Sequence, residues 1–406
     1  MKDYNEITFL KVYKIPDRYA ILRCLKAPEA GPKILFFSGG TALRKTSRAL
    51  INYTHNSIHI ITPFDSGGSS AEIRKAFKML SVGDIRNRIM SLADRTIKGN
   101  PDIYKLFSYR LDKNKENSEL KAELEKMVEG KHELVSIIPD PMRKIIRNYL
   151  KFFYTKMPNN FNLQGANIGN LILTAGYLSS GEHIDPVIFI FSKLVEARAT
   201  VRPVTSKYFE LGAELEDGRI IIGQHKITAK EEKPLNSRIK RIFLTDSFSK
   251  DDEDAVKNLK YAEVSIRKKV SNLISEADLI CYPMGSFYSS VISNFLVNGV
   301  GQAVSENNCM KVYIPNTGTD PEQYGMTIAD CIEDIIRYLS LSCKKKPQVE
   351  RLLNFVIIDS KNGNYPPFGN LEKFKNIGII DTPLIKDKSL NEIDGNRLSE
   401  VLISLS

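Results

Sequence analysis

"KILFFSGGTALRKTSRALINYTHNSIHIITPFDSGGSSAEIRK", residues 33–75, decides the fold. An apolar run from Ile34 meets a Gly-Gly turn, and an amphipathic helix follows. A second apolar run, "SIHIITPF" (57–64), then ends at Asp65 and a tract of serine and glycine, with another helix pattern behind it. Strand, turn, helix, strand, turn, helix is the pattern of a parallel sheet covered by helices, with right-handed crossovers. One acid followed by small hydroxyl and glycine residues at a strand end asks for a chemical reason, since that composition contributes little to packing.

The same alternation extends outward. Residues 1–30 read as a lead-in with a strand near "YAILRCL" (19–25), and "VGDIRNRIMSLAD" (82–94) begins a helix. Residues 98–160 change character: "NSELKAELEKMVEG" and "PMRKIIRNYLKFFYTK" are charged and helix-forming, which predicts an inserted helical lobe. "GANIGNLILTAGYLSSG" (165–181) reads as a helix, and 209–227 as a β-hairpin around Asp217-Gly218. "KRIFLTDS" is a further strand, 270–300 reads as helix, strand, turn and helix, "KVYIPN" (311–316) as a strand, and "GMTIADCIEDIIRYLSLS" as a long helix. Residues 346–406 extend the same α/β core and end in a helix from about Leu390. The whole chain, 1–406, is expected to be a single α/β domain.

Composition narrows the function classes. The chain is 42% hydrophobic and 26% charged, ordinary for a globular protein. Its longest apolar runs, "VIFIF" and "GRIIIG", are too short to span a bilayer, and no signal-peptide core opens it, so a cytoplasmic protein without a membrane partner is expected. Five cysteines without CxxC spacing argue against a disulfide framework and against a zinc site. His55 and His59 stand four apart, but on a segment that reads as a strand, which separates them. The net charge is +10, and residues 98–157 hold 13 Lys and Arg against 9 Asp and Glu. That balance fits a solvated lysine-rich surface or an anionic small ligand; without aromatic–basic interleaving, nucleic acid is not the expected partner.

Three strand ends carry small-residue turns: "SGGTA" (38–42), "FDSGGSS" (64–70) and "PMGSFYSS" (283–290). Ligands of open α/β sheets sit beyond the carboxyl ends of the strands. Glycine there admits a phosphate to the backbone, hydroxyls donate, and the next helix N-terminus favours an anion. Neither GxGxxG nor GxxxxGK[ST] is present, so the pattern is not a dinucleotide fingerprint or a P-loop. Each turn alone has a plain alternative, the closing of a βα unit; together they predict a site for a phosphate-rich ligand. Asp65 stands where a carboxylate holds Mg²⁺ or takes a proton from an alcohol. Asp84 is either a metal ligand or the N-cap of a helix starting at Ile85. Arg86 and Arg88 face phosphate or lie on the helix surface, and Asn170, an amide in an apolar run, needs a partner from backbone or ligand. Glu214, Glu216 and Asp217 of the hairpin are expected to face solvent.

The ordered set "GGT", "DSGGSS", "GDIRN", "GNLIL", "VTSKYFELGAELEDG" and "GSFYSSVISNFLV" resembles the family of 2-phospho-L-lactate transferase (CofD) and its YvcK-like relatives, over about residues 33–345. The resemblance implies a Rossmann-like three-layer sandwich with a mostly parallel sheet and a cleft for a guanosine or uridine diphosphate compound. In the transferase branch a phospholactyl-type group moves from a guanosine diphospho-conjugate to an acceptor hydroxyl, with Mg²⁺ and loss of GMP. In the YvcK-like branch the cleft binds UDP-sugars and serves regulation. A homodimer is a family expectation. Carried onto this chain, Asp65 is the catalytic residue and a metal ligand, with Asp84 a second metal candidate. Gly39, Gly40, Thr41, Ser66, Gly67, Gly68, Ser69, Ser70, Asn170, Gly285, Ser286, Tyr288 and Ser289 are the nucleotide and phosphate set. The chain departs from the family where paired aspartates become Asp65-Ser66, where Ala42 replaces a glycine, and where Met284 enters the third turn. The "FDSGGSSA" variant is similar to that of a separate CofD-related subgroup, the GAK-system proteins.

Overall fold

The computed structural model describes residues 12–96, 99–228, 235–247, 259–387, 389 and 391–406. Its centre is the expected βα alternation. Strands β1 (Ile34–Ser38), β2 (Ile58–Ile61) and β3 (Thr200–Pro203) lie side by side and parallel. An antiparallel sheet follows in the chain, β4 (Glu210–Leu215), β5 (Ile220–Ile222) and β6 (Ile239–Thr245), in the order β5-β4-β6. The chain then returns to the other side of β1 with β7 (Leu279–Tyr282), β8 (Met310–Tyr313), β9 (Phe355–Ile358) and β10 (Gly378–Asp381). The large sheet therefore has the order β10-β9-β8-β7-β1-β2-β3, and all its pairings are parallel. The chain reverses direction across the sheet between β1 and β7.

Residues of β1 are buried on both faces, as a central parallel strand requires. Leu35 and Phe37 point into one core with Ile274, Val300, Ile335 and the inner face of β4 and β6. Ile34 and Phe36 point to the opposite side, where Leu50, Leu398 and Leu402 cover them. A third core holds Ile61 and the helices of the 98–160 region: Pro101–Ser108, Asn117–Glu129, Glu133–Ser136 and Met142–Lys156. Phe107, Leu124 and Phe153 join it to the mostly apolar, buried helix Ile168–Ser179.

Several local expectations are corrected. "YAILRCL" is not a strand but part of the helix Arg18–Lys26, because Asp17 caps it at the N–H groups of Tyr19 and Ala20 and Ile21 and Cys24, three apart, face the core. "TVRP" forms β3, which carries too little apolar pattern to announce itself. The helix expected after β7 is a five-residue π-helical turn, Phe287–Val291, followed by a 3₁₀ turn, Ile292–Leu296. The proposed start of the last helix, Leu390, lies outside the described residues; the helix is Gly395–Leu405 with Asp394 as its cap. His59 is a core residue stacked on Phe36 at 5.1 Å, and burial holds its imidazole well below the usual range, hence neutral.

Candidate functional site

The loops after β1, β2 and β7 meet in one polar cavity of about 330 Å³, at the carboxyl ends of the strands that flank the reversal between β1 and β7. The first loop brings Gly39, Gly40 and Thr41, the second Asp65, Gly67, Gly68, Ser69 and Ser70, and the third Gly285 and Ser286. Asn170 lines it from the helix Ile168–Ser179, and Asp84 from the helix Gly83–Ser91. Thus most of the phosphate set predicted from sequence is gathered in one place.

Close approach of the loops depends on missing side chains. A Cβ on Gly39 would stand 2.8 Å from Ser290 Cβ, so only glycine lets the first loop pack against the third. A Cβ on Gly83 would strike Ser70 Oγ and lie 2.8 Å from Asp65 Oδ2, so the helix Gly83–Ser91 starts directly against the second loop. Asp84 is in the first turn of that helix and Val82 is its cap, which corrects the reading of Asp84 as cap. A carboxylate there is favoured by the helix N-terminus, and it faces the cavity.

Three predicted residues lie elsewhere. Ser66 turns out of the cavity, and its hydroxyl is 2.8 Å from His225 Nδ1. Tyr288 is buried and donates to Asp334 at 2.5 Å, with burial raising its phenol pKa. Ser289 donates to Glu322 at 2.5 Å. The reason is electrostatic. The N–H groups of Phe287, Tyr288 and Ser289, which would have held an anion, are already taken: Asp320 accepts the first at 2.7 Å, and Glu322 the other two at 2.7 and 2.8 Å. The third turn is closed by the protein's own carboxylates and gives the cavity only its rim.

Burial, and then the charge of Asp320, push the Glu322 carboxyl up to about 8 from an ordinary 4.5, against the pull of its donors. The folded state therefore holds a proton that the unfolded chain releases between those values. Stability is expected to fall as pH rises from 4.5 to 8, with the Glu322 contribution fully present only below that window. Glu322→Gln should flatten this slope in denaturant melts taken across it; an unchanged slope would assign the pH dependence to other groups.

The sequence motifs did not reveal how much positive charge the site carries. Arg86, Arg88 and Arg110 line the cavity. Arg88 is fully buried and fastens the first loop from beneath, donating to Ser47 Oγ at 2.5 Å, Gly39 O at 3.1 Å and Gly40 O at 3.4 Å. Burial lowers both Arg86 and Arg88 to about 10, so both remain cations at neutral pH. Arg86 donates to Asn87 Oδ1 at 2.6 Å, and its buried Nε has no partner. Asn170 Nδ2 donates to Ser69 Oγ at 3.0 Å, which fixes the second loop, while its buried Oδ1 is likewise without a partner.

The antiparallel sheet closes one side. Arg74, buried on the helix Gly68–Phe77, binds Glu210 of β4 at 3.1 Å and the carbonyl of Phe64 at 3.2 Å. Gln224, His225 and Thr228, just past β5, thereby line the cavity opposite the glycine loops. Their role is set by long-range contacts that no local spacing could have shown. Glu214 pairs with Lys240 and Arg241 on the outer edge, away from the cavity.

A parallel sheet with helices on both faces and a charged, glycine-walled cleft at its reversal point defines a Rossmann-like α/β protein. The family model of the 2-phospho-L-lactate transferase CofD matches residues 34–376, and the chain belongs to that family. The gluconeogenesis factor of Bacillus subtilis (strain 168) is 28% identical over 309 residues, which cover 76% of this chain and 75% of that protein. The gluconeogenesis factor of Halalkalibacterium halodurans is 29% identical over 304 residues, covering 75% and 72%. A crystal structure of a UPF0052 family member from Bacillus halodurans shares the fold, with a TM-score of 0.64 at 22% identity over 92% of this chain and 98% of that one. Among the described residues no helix is long and apolar enough to cross a membrane.

Proposed function

We propose that the cleft binds a nucleoside diphosphate compound together with Mg²⁺ and transfers its distal phospho-linked group to an acceptor hydroxyl. The observation that carries this reading is the meeting of two glycine loops, two carboxylates and three arginines around one cavity. The backbone of Gly39–Thr41 and Gly67–Ser69 cradles the diphosphate, and Arg86 and Arg110 face its charge.

The donors fit Mg²⁺, which takes oxygen ligands and is held by one or two carboxylates with phosphate and water completing the shell. Asp65 and Asp84 are the residues that would hold it; when bound it neutralises phosphate charge. Asp84, of the GDIRN motif, gives the cavity a second carboxylate even though Ser66 replaces one of the family's paired aspartates. In the transfer, the acceptor oxygen bonds to the distal phosphorus, the bond from that phosphorus to the nucleoside monophosphate breaks, and the hydroxyl proton passes to an Asp65 carboxylate oxygen. Such displacement depends chiefly on alignment and charge neutralisation.

The relatives named gluconeogenesis factors favour a second reading, in which the same cleft senses a sugar nucleotide and no transfer follows. Calorimetric titration with GDP, UDP and UDP-sugars, with and without Mg²⁺, tests both. Micromolar binding that strengthens with Mg²⁺ and is lost in Asp65→Ala is expected; no binding of any nucleotide overturns both. Release of nucleoside monophosphate from a labelled diphospho-donor on adding an acceptor separates transfer from sensing.

A further inference from the structure

Beside the cavity, on the outer flank of Arg86, three arginines surround one phenol. Arg44 and Arg48 stand four apart on the helix Arg44–Leu50, directly after the first glycine loop. Arg95 follows the helix Gly83–Ser91, and Tyr104 sits on the helix Pro101–Ser108. Arg95 donates to the Tyr104 hydroxyl, and its guanidinium lies 4.5 Å from the ring centroid. The charges of Arg44 and Arg48 act on the same phenol. Arg86 connects this group to the cavity, which it lines, and it feels both Arg44 and Tyr104.

Counter-charge reaches the cluster only from the cavity side, where Asp84 acts on Arg86. Several other arginines are paired with acids: Arg74 with Glu210, Arg198 with Asp94, Arg267 with Asp185, and Arg337 with Asp334. Among the described residues no ion pair forms at Arg44, Arg48, Arg86 or Arg95. Asp94, the chain neighbour of Arg95, is committed to Arg198 at 2.8 Å. Arg48 Nε is buried without a partner, and so is Nε of Arg86, whose side chain is only 6% exposed. Burial opposes ionisation of Tyr104, yet the charges of Arg95, Arg48 and Arg44 outweigh it and hold the phenol below its ordinary range. Arg44 and Arg95 are exposed and Arg48 is half-buried, so an anion can reach the cluster from solvent, and it would offset the mutual repulsion of the like charges.

We propose that Arg44, Arg48 and Arg95, gathered by Tyr104, form a second anion subsite that takes a phosphate group and is joined to the main cleft through Arg86. Planar guanidinium groups from different elements suit the several oxygens of one phosphate. The inference goes beyond a nucleotide in the cleft and stands whether or not one binds there. The phosphate is either free or part of a second small molecule that lies alongside the first.

The test uses the full chain. Calorimetric titration with inorganic phosphate at low ionic strength should show binding that is weakened about tenfold or more in the double variant Arg48→Gln/Arg95→Gln. It should persist in Gly83→Ala, which alters only the main cleft, so the two sites fail separately. A second readout avoids the variants' stability: phenolate absorbance of the wild type minus that of Tyr104→Phe isolates one phenol. Phosphate should move its titration to higher pH, because neutralised arginines no longer hold it down. Glycerol 2-phosphate distinguishes the sources: tighter binding than inorganic phosphate assigns the subsite to a phosphorylated molecule, equal binding to free phosphate. Unchanged phosphate affinity in the double variant, or a Tyr104 titration that phosphate does not move, would overturn the proposal.

Discussion

Replacing Arg88 with methionine is expected to lower stability by about 2–4 kcal/mol and to abolish nucleotide binding as well. Two effects compete. Removing a buried cation relieves its desolvation, and a well-packed apolar replacement of a buried charge is often neutral. Here the partners stay behind. The carbonyls of Gly39 and Gly40 and the hydroxyl of Ser47 accept from Arg88 inside the fold, and methionine donates to none of them. Each acceptor left unpaired costs about 1–3 kcal/mol, so destabilisation wins. The same carbonyls belong to the loop that lines the cavity, so the N–H groups proposed to hold the diphosphate lose their aim. Denaturant midpoints and nucleotide titration of the variant check the two parts. A midpoint like that of the wild type would show that the loop holds itself.

Gly83→Ala separates binding from stability. Alanine is favoured over glycine in a helix by about 1 kcal/mol, and Gly83 is the first residue of its helix. Its Cβ, however, would displace Asp65 Oδ2 and Ser70 Oγ, both in the wall of the cavity. Melting should therefore change little while affinity for nucleotide with Mg²⁺ drops at least about tenfold, since a displaced carboxylate loses its charge-assisted contacts. Wild-type affinity in this variant would remove Asp65 from the site.

The predicted glycines that the fold gathers around the cavity share one property. Gly39, Gly40, Gly67, Gly68 and Gly285 are read from the chain next to them: an apolar run ends, small residues follow, and a helix pattern begins. The elements the sequence missed are those that short-range pattern does not specify. The helix Arg18–Lys26 has an apolar, β-compatible composition and was settled by its cap and by packing of Ile21 and Cys24. Strand β3 contains Arg202 and Pro203 and exists because β2 offers it an edge.

By itself the sequence determined the parallel α/β alternation, the glycine loops after β1 and β2, and the hairpin, because strand and helix periodicity and glycine's backbone freedom act over a few residues. Tertiary structure decided which donors are free. Glu322 and Asp320, more than thirty residues downstream of the third turn, silence its N–H groups. His225 engages the Ser66 hydroxyl, Asp84 comes to line the same cavity as Asp65, and Arg74 carries the antiparallel sheet to the cavity rim. A hydrogen bond or a charge acts through space on whatever the fold brings near, so the order of residues along the chain leaves these contacts open.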